Sequence, residues 1–147
     1  MVAGVVITDI SEGRAVAKKV TVEWADAPAE HDYPAAASFL RLTAAPALVE
    51  VLTALLSHAP TVEHRAKDIL RAARLQLLPA DDPEVARDLK HVTKGKPLSP
   101  ILLVRGELSL DRPLQIADGY HRLCASYHLS QDTEIPCRLV DLPAIAV

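Results

Sequence analysis

Aromatic residues are scarce in this 147-residue chain: one Trp, one Phe and three Tyr, 3% in all. Any core must therefore be built from Leu, Val, Ile and Ala, and an apolar fraction of 50% is ample for one domain. A basic excess is also missing. Sixteen Lys and Arg stand against 19 Asp and Glu, a net charge of −3. That balance argues against a general nucleic-acid surface, so DNA is not expected as a tight partner. Cysteine is limited to Cys124 and Cys137. Two cysteines make no disulfide framework, and no signal peptide is evident, so a reducing cytoplasm is the expected setting. No run of about 18 apolar residues occurs, so no membrane span is expected.

Residues 1–19 show no clear period and read as a loose arm. Val20, Val22 and Trp24 alternate, as in a short half-buried strand. Beyond Pro28 and Pro34 the pattern predicts a helix over about 35–44. Leu48, Val51, Leu52, Leu55 and Leu56 then recur at helical spacing and predict a second helix, stopping near His58 before Pro60. These two helices read as a hairpin. A third helix is expected at about 64–74, with Ile69, Leu70 and Ala73 inward. Leu75–Pro79 reads as a short strand or an extended segment. At Asp82-Pro-Glu-Val the N-cap, the first-position proline and an early acidic residue all signal a helix start. Val85, Leu89 and Val92 continue that helix, and Gly95 can close it. Ile101–Val104 is an unbroken apolar run suited to a buried strand. Gly106–Pro113 is a turn region, and Leu114–Ala117 a further strand. The expected fold class is α/β, or α+β under a looser label: a small mixed sheet with an N-terminal helical hairpin. The expected organisation is an arm at 1–19, a strand and helical extension at 20–67, and an α/β part at 68–147.

The segment Leu114–Leu129 carries the most chemistry. It reads as a strand, a sharp turn at Asp118-Gly119, and a helix whose first turn holds Tyr120, His121 and Arg122. The first N–H groups of a helix have no intrahelical partner, and the helix dipole puts partial positive charge beside them. A glycine at the junction lets an anion approach closely, and Arg122 and His121 could add donors. This makes a phosphate site, with Gly119, Tyr120, His121 and Arg122 as its candidates. The plainer reading of His121 and Arg122 is an exposed polar pair. Asp118 at the junction could be an N-cap, or could orient His121 or Arg122. An uncompensated carboxylate there would repel phosphate, so Asp118 implies either Mg²⁺ or a carboxylate turned away from the anion.

Asp118-Gly-Tyr-His-Arg-Leu-Cys-Ala125 resembles the Gly-x-x-Arg-x-x-Ala phosphate motif of ParB-type nucleotide-binding domains. It is also similar to the Cys-His-Arg motif of sulfiredoxins and the Asp-Gly-His-Thr-Arg motif of free-serine kinases. The likeness to this ParB/sulfiredoxin-like superfamily extends through Lys94–Arg105 and Ile135–Val140, covering about residues 68–142. It implies a small stand-alone bacterial protein with a ParB/sulfiredoxin-type sheet that binds a nucleoside triphosphate, ATP or CTP, with Mg²⁺. A phosphotransferase or nucleotidase reaction would fit such a site, and so would a homodimer. Tyr120 stands where sulfiredoxins carry their reactive Cys, so cysteine phosphoryl chemistry is not implied. No helix-turn-helix or dimerisation segment of partition proteins is evident.

The resemblance draws in two further segments. The acidic loop Asp81-Asp82-Pro83-Glu84 lies where free-serine kinases supply a carboxylate base, which makes Asp81, Asp82 and Glu84 the catalytic candidates. Its plainer reading is a capped helix start. The link Lys94–Pro100 would place Lys96 and Ser99 beside the nucleotide; otherwise it is a charged C-cap and turn. A zinc set of His121, Cys124, His128 and Cys137 is disfavoured, because the spacing is not a usual zinc spacing and both cysteines sit in apolar patterns. No metal ligand is assigned. The alternative to an enzyme is a non-catalytic interaction or regulatory module, or a DNA-associated protein of the same type.

Overall fold

The computed structural model describes residues 5–9 and 16–144 of the chain, with side chains from residue 20 onward. Within the expected loose arm, β1 (Val5–Asp9) and β2 (Val16–Lys19) pair antiparallel, in a register that opens at Val5 opposite Lys19. The remainder of the arm lies outside the described residues.

Four strands form the main sheet: β3 (Thr61–Arg65), β4 (Ile101–Val104), β5 (Gln115–Asp118) and β6 (Glu134–Val140). Their order is β3-β6-β4-β5; β6 and β4 run parallel and the two outer pairs antiparallel. The class is therefore mixed α/β. β4 is buried at all four residues, as its unbroken apolar run predicts for a strand covered on both faces.

Alternation along β4 assigns its two faces. Leu102 and Val104 point toward the helical hairpin, α1 (Asp32–Leu40) and α2 (Pro46–His58), and pack with Leu40, Leu52 and Leu56. Ile101 and Leu103 point the other way, onto α3 (Ala66–Ala73) and α5 (Tyr120–Leu129), and pack with Ile69 and Leu123. The sheet is thus the middle of three layers. The final helix, α4 (Pro83–Thr93), lies outside α5 through Val85, Cys124 and Ala125. The hairpin and the α/β part share this sheet, each packing its own buried cluster on one face. No helix among the described residues is long and apolar enough to cross a membrane.

Several local expectations shift. The strand expected at Val20–Trp24 is reduced to one parallel bridge between Trp24 and Leu98. Its alternation is still used, because Val20, Val22 and Trp24 face Val92, Leu98 and Leu129. The first helix starts at Asp32 rather than 35, where the Asp32 carboxylate accepts the Ala29 N–H at 2.9 Å and the Ala29 carbonyl accepts the Asp32 N–H. It stops at Leu40, where a turn begins and the N–H groups of Arg41, Leu42 and Thr43 reach back to carbonyls of residues 37–40. Residues 61–65, partly assigned to the third helix, are the edge strand β3, exposed at every residue. Leu75–Pro79 has no regular secondary structure and joins no sheet. Arg138 of β6 donates Nη1 to the Leu56 and Ser57 carbonyls and so closes the C-terminal end of α2.

Candidate functional site

Two consecutive α5 residues bring three helix starts together. Arg122 reaches Asp118 at the end of β5, with Nη2 to Oδ2 at 3.0 Å, and Asp32 at the start of α1, at 3.9 Å. His121 reaches Asp82 at the start of α4, with Nε2 to Oδ2 at 4.0 Å. The starts of α1, α4 and α5 therefore converge at the end of the sheet where β5 stops and β4 begins.

Gly119 shapes the junction. Its φ is +113°, outside the range that side-chain-bearing residues favour. A Cβ there would lie 2.3 Å from Cγ2 of Ile101. The glycine lets β5 turn into α5 against the central strand, and α5 begins with no side-chain cap. Its first N–H groups are therefore left without a side-chain acceptor. α4 differs, because Asp82 Oδ2 accepts the N–H groups of Glu84 and Val85, each at 3.1 Å.

Arg122, expected as a phosphate donor or as an exposed polar residue, is instead engaged within the fold. Nε donates to the Ser99 carbonyl at 2.9 Å, and Nη2 to the Pro100 carbonyl at 3.3 Å and to Asp118. Only 16% of its side chain is exposed. The guanidinium ties β5, α5 and the approach to β4 to one another, with its charge facing Asp118 and Asp32. Asp118 is thus neither an N-cap nor an open metal ligand: its carboxylate turns onto Arg122. Ser99 takes part through its backbone carbonyl rather than its hydroxyl.

The other candidates disperse. Tyr120 packs between the α3 and α4 clusters and donates its hydroxyl to the Gln76 carbonyl. Asp81 is exposed, and Glu84 is paired with Arg87 on its own helix. Lys96 is exposed, and its backbone N–H closes α4 on His91. His128 donates Nε2 to the Leu78 carbonyl at 2.7 Å. Burial pushes the Cys124 thiol up and the Cys137 thiol up to about 12, which disfavours thiolate chemistry at either. Among the described residues no three His, Cys, Asp or Glu side chains converge as a metal set.

Two carboxylates escaped the sequence reading. Asp32 is 2% exposed and Asp88 of α4 is 8% exposed. Asp88 carries a usable signal: it lies three residues after Val85 and four before Val92, inside the buried stripe of its helix. Asp32 carries none, since only the folded chain places α1 against Arg122.

Burial raises the Asp118 carboxyl; Arg122 opposes the shift and neighbouring Asp32 adds to it. Burial likewise raises Asp88, against Arg122, Arg87, His91 and His121. The ordinary value for both is 3.8. Stability from these two groups is therefore fully present below 3.8 and is lost as pH rises through their raised folded values. Asp88→Asn keeps the shape and removes the charge. It should stabilise the protein near neutrality and flatten the pH dependence on the acid side. Urea denaturation at about pH 4 and about pH 7 checks this, and a loss of stability at neutral pH would show that the Asp88 charge is needed.

The chain matches no protein-family model, no curated protein and no solved structure.

Proposed function

We propose that the start of α5 binds the phosphate groups of a nucleotide in the cytoplasm, as the resemblance to ParB/sulfiredoxin-like proteins implies. The observation that carries this reading is the uncapped first turn of α5, entered from a strand through a glycine at φ +113°. Free N–H groups at a helix start, approached over a residue without a side chain, suit an anion. The internal engagement of Arg122 modifies the reading. Backbone N–H groups and His121, whose side chain is 43% exposed, take the contacts with phosphate, while Arg122 holds the turn that presents them. Mg²⁺ carried by the nucleotide would find its donors in exposed Asp81 and in Asp82 Oδ1, the oxygen that the cap leaves open. Such an ion would supply charge neutralisation between phosphate oxygens.

Binding without turnover is the form the geometry favours. Asp82 is occupied as a helix cap, Glu84 by Arg87, and Asp118 by Arg122. The phosphotransferase or nucleotidase reading needs a free base, and the His121–Asp82 pair is the arrangement that could provide one.

Amide NMR titration with ATP, CTP and GTP, each with and without Mg²⁺, tests the proposal. The N–H signals of Tyr120, His121 and Arg122 should move with at least one nucleotide. His121→Ala should weaken that binding by about 1.5–3 kcal/mol, the range for a hydrogen bond to a charged group. Nucleotide affinity that is unchanged in His121→Ala, or shifts that avoid residues 120–122, would remove the proposal. Asp82→Asn separates the two forms, because Asn still caps but cannot accept a proton as a base. Loss of turnover with retained affinity would support the enzyme.

A further inference from the structure

At the other end of β4, beyond Val104, an open cleft of about 740 Å³ lies between α3, the β4–β5 connection and the end of β6 at Leu139. Its size is in the range of small-molecule sites. Leu103, Leu114 and Leu139 supply an apolar floor. Leu108, which stands at the mouth, is 94% exposed. The wall at this connection is built by close backbone approach: a Cβ on Gly106 would lie 2.2 Å from the Arg112 carbonyl.

Arginine gathers around this floor. Four of the ten arginines, Arg71, Arg74, Arg105 and Arg112, line a single cleft of a protein with net charge −3. Two are held from outside the cleft, Arg74 by Asp111 and Arg105 by Asp141. Arg71 and Arg112 have no ion pair among the described residues. Two carboxylates also line the cleft, Asp68 and Glu107. Glu107 is turned onto the N–H and hydroxyl of Ser109, which hold its carboxyl below the usual range. Two arginines without an ion pair beside a leucine floor suit an anion that brings its own apolar surface.

We infer that this cleft is a second binding site, distinct from the start of α5, for a small organic anion: a carboxylate or phosphate ester on an apolar body. The anionic group meets Arg71 and Arg112 at the rim. The apolar body covers Leu103, Leu114 and Leu139 and draws Leu108 out of water.

The test is an amide and methyl NMR titration of the whole chain with octanoate and, separately, with phenyl phosphate. Saturable shifts at Ala72, Leu103, Leu114 and Leu139 are expected with at least one probe, and which probe binds more tightly assigns the head group. The Arg71→Gln/Arg112→Gln double variant, altered only at exposed side chains, should bind that probe at least tenfold more weakly while keeping the spectrum of the folded protein. The inference is overturned if neither probe saturates, if the shifts fall at Gly119–Arg122 instead, or if the double variant binds as the parent does. Nucleotide shifts at residues 120–122 are read from different signals, so either site can fail alone.

Discussion

Gly119→Ala is expected to destabilise the protein by about 2–6 kcal/mol, the sum of a strained backbone and an overpacked contact. Both terms act at one atom. An alanine must adopt φ near +113°, and its Cβ would lie 2.3 Å from Ile101 Cγ2 and 2.7 Å from Ile101 Cβ. Ile101 cannot retreat easily, because it is fully buried in β4, the strand packed on both faces. The end of the Arg122 side chain, 3.0 Å away, can give more cheaply. Urea denaturation of parent and variant measures the effect. A change below about 1 kcal/mol would mean that the turn relaxes freely and that the glycine is there for some other reason. Gly95 is the control: its φ is +72° but a Cβ there would meet nothing. Gly95→Ala carries only the backbone term and should cost clearly less.

That contrast shows what a sequence reveals about this fold. Strand, turn and helix around Gly119 were legible because apolar runs, a turn dipeptide and a periodic stripe follow one another there. The cap at Asp82 was legible for the same reason: its partners are two and three residues away. The buried strand at Ile101–Val104 announced itself by composition. The edge strand β3 did not. All five of its residues are exposed, so no apolar alternation marks it; its identity comes from pairing with β6, about seventy residues away in the chain.

The site divides along the same line. The residues at the start of α5 were visible, but their directions were not, and Asp32 was not visible at all. Asp118 and Arg122 are four residues apart, and a helix-like spacing permits their contact. Nothing in the sequence shows that Ser99 and Pro100 offer carbonyls to the same guanidinium, or that Asp32 lies beneath it. The expectation of Arg122 as a phosphate donor rested on its place in the first turn and on the motif it resembles, and its engagement within the fold rests on contacts across 23, 22 and four residues of chain. The arginine-lined cleft was invisible for the same reason, since its charges come from α3 and from both arms of the β4–β5 hairpin.

Arg122→Ala is therefore expected to damage the fold before it damages any binding. Removing the guanidinium leaves the Asp32 and Asp118 carboxylates, 3% and 18% exposed, without their shared cation, and orphans the Ser99 and Pro100 carbonyls. Breaking a buried pair in this way typically costs about 3–5 kcal/mol. The pH dependence has a defined sign. Asp118 is already raised by burial and by Asp32, and Arg122 opposes the shift. Without Arg122 the folded value rises further. The lost stability should return as pH falls and the Asp118 carboxyl protonates, and should be greatest above its raised folded value. Arg122→Lys should recover only part, because one ammonium cannot reproduce the fork that serves Ser99, Pro100 and Asp118 together. Pairing Arg122→Ala with Asp118→Asn should restore stability at neutral pH, since the orphaned charge is then gone. Denaturation curves for these variants across acid and neutral pH decide the role of the residue. If Arg122→Ala unfolds at the parent's urea midpoint at every pH, the guanidinium is not a structural tie, and its donors are free for the phosphate that the motif resembles. If instead stability falls as expected, Arg122 positions the α5 start, and nucleotide contacts should be sought at His121 and the N–H groups beside it.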